Sequence, residues 1–382
     1  MASTLTASPL FTPFTLGRLT LPNRIVLAPM TRVRASAEGV IPEMAAEYYA
    51  RRASGGLLIT EATQVLPNGA GGAGTPGIHD DAQIAAWRRV TDAVHAAGGR
   101  IYLQLWHTGR AAHPSFLPAG AEVVSASAVA IEGEVYTPAG RVPYATPRAL
   151  TLEEIPQYVE AYAQGARNAI AAGFDGVEIH GANGYLIDQF LRDGSNRRTD
   201  AYGGSVENRA RFLLDVVRAI VAAVGADRTG LRVSPTNAFQ SMRDSDPAAL
   251  FGSVAEQLNA FGLAYLHVLE PVRADHPSAD TEGRVIAPVL RAAFRGPLIL
   301  NGGYDRAAAD AAIAEGRADL IAFGVPYLAN PDLPERLAQG APLNAPNPAT
   351  FYGGGAEGYL DYPTLEEQRD EPRGGRALAG AA

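Results

Sequence analysis

The chain has 382 residues, of which 47% are hydrophobic and 19% charged, and it carries a formal net charge of −8. These proportions are typical of a soluble globular protein, and no run of about 18 apolar residues suggests a membrane span. The negative charge argues against nucleic acid as the main partner, because phosphate recognition needs a basic face. The length allows either one large α/β barrel or two smaller domains.

The sequence contains no cysteine. This excludes disulfides, thiolate nucleophiles, cysteine-ligated zinc and iron–sulfur clusters. Catalytic chemistry must therefore come from histidine, tyrosine, carboxylates or a cofactor. Residues 1–9 have neither the basic region nor the apolar core of a signal peptide, so we expect a cytoplasmic location.

Short apolar runs alternate with helical patterns along most of the chain. Residues 11–21 come first, and their alternation around Gly17 predicts a small hairpin that plugs one end of the fold. The pattern that follows predicts eight buried strands. These strands are at residues 24–29, 56–62, 100–106, 174–180, 230–235, 263–269, 297–301 and 318–323.

The segments between the strands carry helix signals. Ser205 is a suitable N-cap for a helix whose apolar residues recur at three- and four-residue steps. Thr151 and Glu154 have the spacing of a capping box, and further helices are predicted after Asp80 and Asp305. This alternation favours a parallel sheet covered by helices, and eight strands are the number that closes a (β/α)8 TIM barrel.

An open, doubly wound sheet is the alternative to the barrel. That fold usually carries a Gly-x-Gly-x-x-Gly turn after its first strand, whereas Leu27 is followed here by Ala-Pro-Met-Thr. We therefore predict one barrel domain over residues 1–365 and a flexible tail over residues 366–382.

A long insertion follows the third barrel strand. Residues 107–150 contain several prolines and no convincing helix, and loops of this length are usually lids or binding excursions. Alternating residues near 123–124 and 134–136 predict a hairpin. We expect this capping excursion to cover the barrel mouth.

In a barrel of this kind, the C-terminal ends of the strands form the functional site. The fourth barrel strand ends in His180, and Asn183 and Tyr185 follow it with glycines between them. Two N–H donors that hold one oxygen, together with a phenol that supplies a proton, could polarise a carbonyl and protonate an enolate. The alternative is a loop in which His180 and Asn183 only cap backbone groups.

The last two barrel strands end in glycines. Gly302 and Gly303 follow the seventh strand, and Gly324 follows the eighth. Barrels often bind a phosphate at these two loops through backbone N–H groups, although a plain turn would use the same glycines. Because no cluster of histidines or carboxylates marks a metal site, an organic phosphate cofactor is favoured over a metal.

Five separated segments resemble the old yellow enzyme family of FMN-dependent ene-reductases, in the branch of the N-ethylmaleimide and xenobiotic reductases. The resemblance extends from residue 11 to residue 365. Its most specific segments are residues 27–32 (LAPMTR), 104–110 (QLWHTGR), 180–209 with RRTDAYGGS at 197–205, 301–304 (NGGY) and 351–355 (FYGGG).

The resemblance implies an FMN over the barrel mouth. Thr31 would bond the flavin carbonyl near N5, Gln104 would bond the pyrimidine edge, and Arg232 would place positive charge near N1. A salt bridge at the strand end is the alternative role for Arg232. The remaining contacts, including those to the phosphate, would come from backbone and apolar groups of Pro29, Met30, Ala62, Gly302, Gly303, Gly324 and Val325.

The resemblance also implies that NADPH or NADH reduces the flavin, which then reduces the C=C bond of an activated alkene in the same pocket. Such alkenes are α,β-unsaturated ketones and aldehydes, maleimides and nitroalkenes, and nitrate esters or nitro compounds are further expected substrates. His180 and Asn183 would bind the carbonyl or nitro oxygen, and Tyr185 would protonate the α-carbon. Trp106 and Tyr352 would shape the pocket walls, and the enzyme would be a monomer or homodimer.

One position departs from the family pattern. Many relatives carry arginine at the flavin phosphate where this chain has Val325, so one charge-assisted hydrogen bond would be lost. Two other functions stay open on the sequence alone. They are a phosphate-binding barrel enzyme of the isomerase or aldolase class, and a flavin-binding barrel without reductase turnover.

Overall fold

The computed structural model describes residues 8–271 and 286–370. Its central element is a closed ring of eight parallel strands with helices outside, which confirms the predicted (β/α)8 barrel. In chain order, the strands are β1 (Phe14–Leu16), β2 (Leu19–Leu21), β3 (Ile25–Leu27), β4 (Leu57–Ile59), β5 (Thr63–Gln64), β6 (Ile101–Trp106), β7 (Val124–Ser125), β8 (Glu134–Thr137), β9 (Gly140–Pro143), β10 (Arg148–Ala149), β11 (Gly176–Gly181), β12 (Thr229–Val233), β13 (Tyr265–Leu269), β14 (Leu298–Asn301) and β15 (Leu320–Phe323).

Helices alternate with the barrel strands along the chain. In chain order, they are α1 (Met44–Ala50), α2 (Asp81–Ala96), α3 (Ile155–Ala171), α4 (Leu186–Leu191), α5 (Val206–Val224), α6 (Pro247–Leu258), α7 (Ala287–Ala293), α8 (Arg306–Ala314), α9 (Val325–Ala329), α10 (Leu333–Gln339) and α11 (Leu365–Asp370). The longer helices bury one apolar face each, as their periodicity predicts.

The ring runs β3, β4, β6, β11, β12, β13, β14, β15 and back to β3. Its strands are buried on both faces, which explains why each reads as a continuous apolar run. The register pairs His180 with Arg232 and Arg232 with His267 on three neighbouring strands. Polar residues near the C-terminal ends of different strands are thereby brought to one end of the barrel.

The predicted N-terminal hairpin closes the opposite end. β1 and β2 pair antiparallel, and Leu16 and Leu21 are fully buried. They belong to one apolar cluster with Leu57, Tyr265 and Leu320, which are the first residues of their barrel strands. The barrel interior is therefore apolar at its N-terminal end and polar only towards the mouth.

The predicted helix caps are present. Asp80 and Asp305 accept backbone N–H bonds at the starts of α2 and α8. Before α3, the Glu154 carboxylate accepts from the Thr151 N–H at 2.8 Å and the Thr151 hydroxyl accepts from the Glu154 N–H at 3.3 Å, which is a reciprocal capping box. Ser205 accepts from the Asn208 N–H at 3.3 Å at the start of α5.

Replacing Ser205 by Ala is expected to lower the free energy of unfolding by about 0.5–2 kcal/mol, because one N–H of α5 loses its side-chain acceptor. Urea denaturation followed by circular dichroism measures this loss. Ser205→Asp keeps an acceptor and adds a negative charge at the helix N-terminus, so it should retain wild-type stability. An equal loss in both variants would contradict the capping role.

The capping excursion, residues 107–150, leaves the barrel and returns over its mouth. β8 and β9 form the antiparallel hairpin predicted near 134–136, and Val135 of this hairpin lines the central cavity. The segment near 123–124 differs from the prediction, because β7 pairs in parallel with β10 and forms no hairpin. The pairing of β7 with β10 thus holds the base of the excursion together, and the β8–β9 hairpin at its tip forms part of the cavity wall.

The first residues of the tail that the sequence analysis predicts to be flexible are helical in the structure. Residues 366–370 belong to α11, which is held to the barrel by polar contacts. Glu367 forms a salt bridge with Arg51 at 2.7 Å, and the Arg336 guanidinium donates to the Gln368 side chain at 3.3 Å. The rest of the predicted tail, residues 371–382, lies outside the described residues.

Two buried arginines hold the segment that precedes this helix. We call residues 350–362 the strap, and Arg32 with Arg34 the arginine clasp. The guanidinium of Arg32 donates to the carbonyl oxygens of Phe351 at 2.9 Å and Gly358 at 2.6 Å. Arg34 donates to three more strap carbonyls, those of Gly355, Thr350 and Glu357. The clasp thereby fixes Phe351 and Tyr352 at the barrel mouth.

Candidate active site

A cavity of about 960 Å³ opens at the C-terminal ends of the barrel strands. Its volume is near the upper end of the about 300–1,000 Å³ of small-molecule and cofactor sites. The structure brings all of the predicted site residues to its wall. They are Pro29, Met30, Thr31, Ala62, Gln104, Trp106, His180, Asn183, Tyr185, Arg232, Gly302, Gly303, Gly324, Val325 and Tyr352.

His180 is the second-to-last residue of β11, and its side chain is buried. Its Nδ1 accepts a hydrogen bond from the Ala182 N–H at 3.3 Å, which leaves the proton of the neutral ring on Nε2. Burial lowers the pKa of His180 well below its ordinary value, and the nearby Arg232 and His267 lower it further. A neutral N–H donor is therefore available at the cavity wall.

Asn183 lies in a tight turn between β11 and α4. Its backbone has φ of +57°, a conformation that asparagine tolerates better than most residues. The Asn183 N–H donates to the Ser234 hydroxyl at 2.8 Å, and the next N–H, of Gly184, donates to Asp188 at 2.8 Å. The turn is thus fixed at two successive peptide groups.

Tyr185 is the N-cap residue of α4 and lies between two other rings. The ring centroids of Trp106 and His180 each lie 4.9 Å from that of Tyr185, and both pairs are close to perpendicular. Burial raises the pKa of Tyr185, while the neighbouring Gln240 side chain acts in the opposite direction. The phenol consequently stays protonated at neutral pH.

Beneath these residues the barrel interior carries a polar layer. The Gln104 Nε2 donates to one oxygen of the buried Glu178 carboxylate at 2.7 Å, and His267 Nδ1 lies 2.8 Å from the other. Arg232, on the strand next to that of Glu178, donates to the Asn301 side chain at 2.9 Å. Because the Gln104 nitrogen is engaged by Glu178, the Gln104 carbonyl oxygen is left as an acceptor.

Arg232 has more donors than partners. Its Nε is buried and makes no hydrogen bond within the described residues. Burial lowers the pKa of Arg232, whereas the negative charge of Glu178 raises it. A buried guanidinium with an unused donor at a cavity wall is suited to an anionic or strongly polar group in that cavity.

Bare backbone forms another part of the cavity wall. Gly303 has φ of +72°, and a Cβ atom placed there would meet nothing within 4 Å, so the space beside its Cα is open. Gly302 and Gly324 lie beside it along the wall, and Val325 is 41% exposed. The glycine backbone and the unpaired Arg232 donor at the wall of one cavity fit a flavin with a phosphate tail.

Several cavity residues could not be found from the sequence pattern. Tyr144 comes from the capping excursion, while Phe239 and Gln240 come from the loop after β12. Their positions depend on the path of irregular loops, which no periodicity encodes. Asn301 was recognisable as the residue before the glycine pair, but its bond to Arg232 was not.

Two further properties concern the described part of the chain as a whole. None of its helices has the length and apolar character needed to cross a membrane. Nor do residues 8–271 and 286–370 contain three or more histidines or carboxylates grouped so that they could hold a metal ion.

Comparisons with known proteins relate both the sequence and the fold to oxidoreductases. The profile of the NADH:flavin oxidoreductase / NADH oxidase family matches residues 9–344. The chain is 50% identical over 361 residues to chanoclavine-I aldehyde reductase of Penicillium roqueforti (strain FM164), with 92% of this chain and 95% of that protein covered.

Solved structures give the same relationship. The structure of morphinone reductase in complex with tetrahydroNAD has a TM-score of 0.88 and 48% identity, with 94% of this chain and 99% of that chain covered. The old yellow enzyme homologue from Zymomonas mobilis has a TM-score of 0.90 and 45% identity, with 93% and 99% covered.

Proposed function

Because the chain belongs to the NADH:flavin oxidoreductase / NADH oxidase family, which includes the old yellow enzymes, we propose that it reduces the C=C bond of activated alkenes. It is an FMN-dependent oxidoreductase that uses a nicotinamide as hydride donor. The proposed substrates are α,β-unsaturated ketones and aldehydes, maleimides and nitroalkenes. The observation that carries this proposal is the presence of two N–H donors and one protonated phenol, His180, Asn183 and Tyr185, at the wall of one cavity.

The polar layer and the glycine backbone would hold the cofactor. When bound, FMN supplies the hydride for the alkene after accepting one from NADH or NADPH. The Gln104 carbonyl oxygen would accept from the imide N–H of the flavin, and the free Nε–H of Arg232 would donate to its pyrimidine side. Thr31, Pro29, Met30 and Ala62 would contact the ring, and the backbone of Gly302, Gly303, Gly324 and Val325 would bind the phosphate.

His180 and Asn183 would bind the oxygen of the substrate. Two N–H donors on one carbonyl or nitro oxygen withdraw electrons from the conjugated double bond and stabilise the negative charge that develops on that oxygen. The low pKa of His180 is compatible with this role, because the step needs a hydrogen-bond donor and no proton is transferred from the ring.

Tyr185 would supply the proton. Protonation of the α-carbon requires an acid that keeps its proton until the enolate forms, and burial raises the pKa of Tyr185. Gln240, which lines the same cavity and acts to lower the pKa of Tyr185, would stabilise the phenolate left after transfer. Trp106 and Tyr352 would shape the walls, Trp106 from the buried side and Tyr352 from the exposed rim.

The function is tested by two measurements on the purified protein. Flavin absorbance excludes an isomerase or aldolase without flavin, and oxidation of NADPH or NADH on adding 2-cyclohexenone separates the ene-reductase from a flavin-binding barrel without turnover. We expect both signals. Absence of nicotinamide oxidation with every enone, maleimide and nitroalkene tried would refute the proposal.

Val325→Arg is expected to tighten FMN binding. An added charge-assisted hydrogen bond to the phosphate contributes about 1.5–3 kcal/mol, or roughly 10–100-fold in the dissociation constant. The dissociation constant is measured by titrating the apoprotein with FMN and monitoring the quenching of flavin fluorescence. Val325→Met adds length without charge and is the control. Equal affinities of the Arg and Met variants would show that the missing arginine is unimportant.

We also propose a cytoplasmic monomer or homodimer that does not bind nucleic acid. The net charge of −8 supports the last point, since a nucleic-acid site needs a basic face. Light scattering of the purified protein would establish the number of subunits.

A further inference from the structure

We propose that Asn237 is a positioning residue. It orients the side-chain amide of Asn183 so that the NH2 group of Asn183 faces the cavity. Asn237 follows β12 and, like Asn183, lies at the cavity wall. The inference rests on the proposed function, in which Asn183 donates to the substrate oxygen. It adds the reason why that amide presents nitrogen and not oxygen.

The orientation of Asn237 is set by the backbone. The Phe239 N–H donates to the side chain of Asn237 at 2.9 Å. A backbone N–H can only donate, so the atom that receives this bond must be the amide oxygen, Oδ1. The Asn237 Nδ2 is therefore the group that remains for other contacts.

That nitrogen determines the orientation of Asn183. The Asn237 Nδ2 donates to the Asn183 Oδ1 at 2.7 Å. Because the Asn183 oxygen is engaged by this bond, its Nδ2 is the polar atom left for a ligand in the cavity. His180 is oriented by the same logic, since the Ala182 N–H fixes its Nδ1 as an acceptor. The backbone N–H groups of Phe239 and Ala182 thus determine that Asn183 and His180 each present a nitrogen donor to the cavity.

Both ends of the Asn237–Asn183 bond are held rigidly. Arg192 donates to the backbone carbonyl of Asn237 at 2.9 Å and forms a buried salt bridge with Asp188 at 2.9 Å. Asp188 in turn accepts the N–H of Gly184, the residue after Asn183. Asn237 itself is only 6% exposed. The two amides therefore face each other in one fixed geometry.

Removing the hydrogen bond between Asn237 and Asn183 and reversing its direction should have different effects on alkene reduction. Asn237→Leu keeps the approximate shape and removes the donor, so the Asn183 amide becomes free to rotate. Asn237→Asp replaces the donor by a second acceptor. Asn183 must then turn its NH2 towards the introduced carboxylate, and its oxygen faces the substrate oxygen. The aspartate variant should therefore be the more damaged of the two, although its side chain has the same shape as that of the wild type.

The test compares kcat/KM for 2-cyclohexenone in four variants with wild type, each with its FMN content and thermal midpoint. The variants are Asn237→Asp, Asn237→Leu, Asn183→Ala and the double variant of Asn183→Ala with Asn237→Asp. Asn237→Asp should lose roughly 10²-fold, as for removal of one oxyanion donor, and Asn237→Leu should lose less. In the Asn183→Ala background, Asn237→Asp should cause no further loss, because there is no amide left to orient.

Each other outcome argues against the inference. Equal losses for Leu and Asp, or a full Asp loss in the Asn183→Ala background with unchanged FMN content, would refute it while leaving the proposed function intact. A wild-type enzyme without turnover would refute the proposed function and the inference together. Should the Asp variant fail to fold, the Leu variant with and without Asn183→Ala gives the same coupling measurement.

Discussion

Tyr185→Phe is expected to slow alkene reduction by about 10²–10⁴-fold, the usual contribution of a positioned general acid. Only the phenol oxygen is removed, and the packing of the ring against Trp106 and His180 is retained. Reduction of the flavin by NADPH needs no proton from this group and should stay close to the wild-type rate. Rapid-mixing measurements of the two half-reactions separate these expectations.

The matched control is Tyr144→Phe. Tyr144 lines the same cavity and loses the same atom, but it comes from the capping excursion and not from the turn that follows β11. We expect it to retain most of the alkene reduction. If Tyr185→Phe slowed both half-reactions equally, or if the two phenylalanine variants behaved alike, Tyr185 would not be the proton donor.

His180→Ala is expected to lower kcat for alkene reduction by about 10²–10³-fold, which is the cost of removing one donor from an oxyanion site. The His180 ring is oriented by the Ala182 backbone and lines the cavity, so its loss leaves the substrate oxygen with one donor. Steady-state kinetics with 2-cyclohexenone measure the change. His95→Ala, on the outer surface of α2, is the control and should be near wild type.

The pH dependence of the wild-type rate tests the state of His180 independently. Burial lowers the pKa of His180, so the ring is neutral on both sides of the ordinary histidine pKa of about 6.5. A neutral donor predicts no fall in alkene reduction as the pH rises from about 6 to 8 across that value. A fall centred near 6.5 that disappears in His180→Ala would show that the protonated ring is required.

The barrel was predictable because its signals are local and repeated. Each strand is a short apolar run, and a parallel sheet buried on both faces requires such runs. Once eight strands are placed, their C-terminal ends must meet, so His180, Arg232 and the glycines near 302 and 324 could be assigned to one site without knowledge of any distance. The resemblance to the old yellow enzyme family indicated which of these residues would bind the flavin and which would act on the substrate.

The contacts that orient the site residues were not predictable in the same way. Asn237 lies 54 residues from Asn183, and Glu178 lies 74 residues from Gln104. No pattern within either segment specifies the partner, since the pairing depends on the register of the barrel and on the loop after β12. The start of α11 was missed for a related reason, because its anchors, Arg51 and Arg336, lie elsewhere in the chain.

The arginine clasp holds the strap almost entirely through main-chain oxygens. Phe351, Gly355, Glu357 and Gly358 are each bound at their carbonyl groups, which every amino acid possesses. These hydrogen bonds do not depend on the side chains at the bound positions, but the Tyr359 ring lies beside the guanidinium of Arg32, and Phe351 packs against an apolar cluster that includes Leu328 and Tyr362. Position 352, whose tyrosine is 69% exposed, can therefore change without loosening the segment, which makes it a suitable site for altering substrate range by directed evolution.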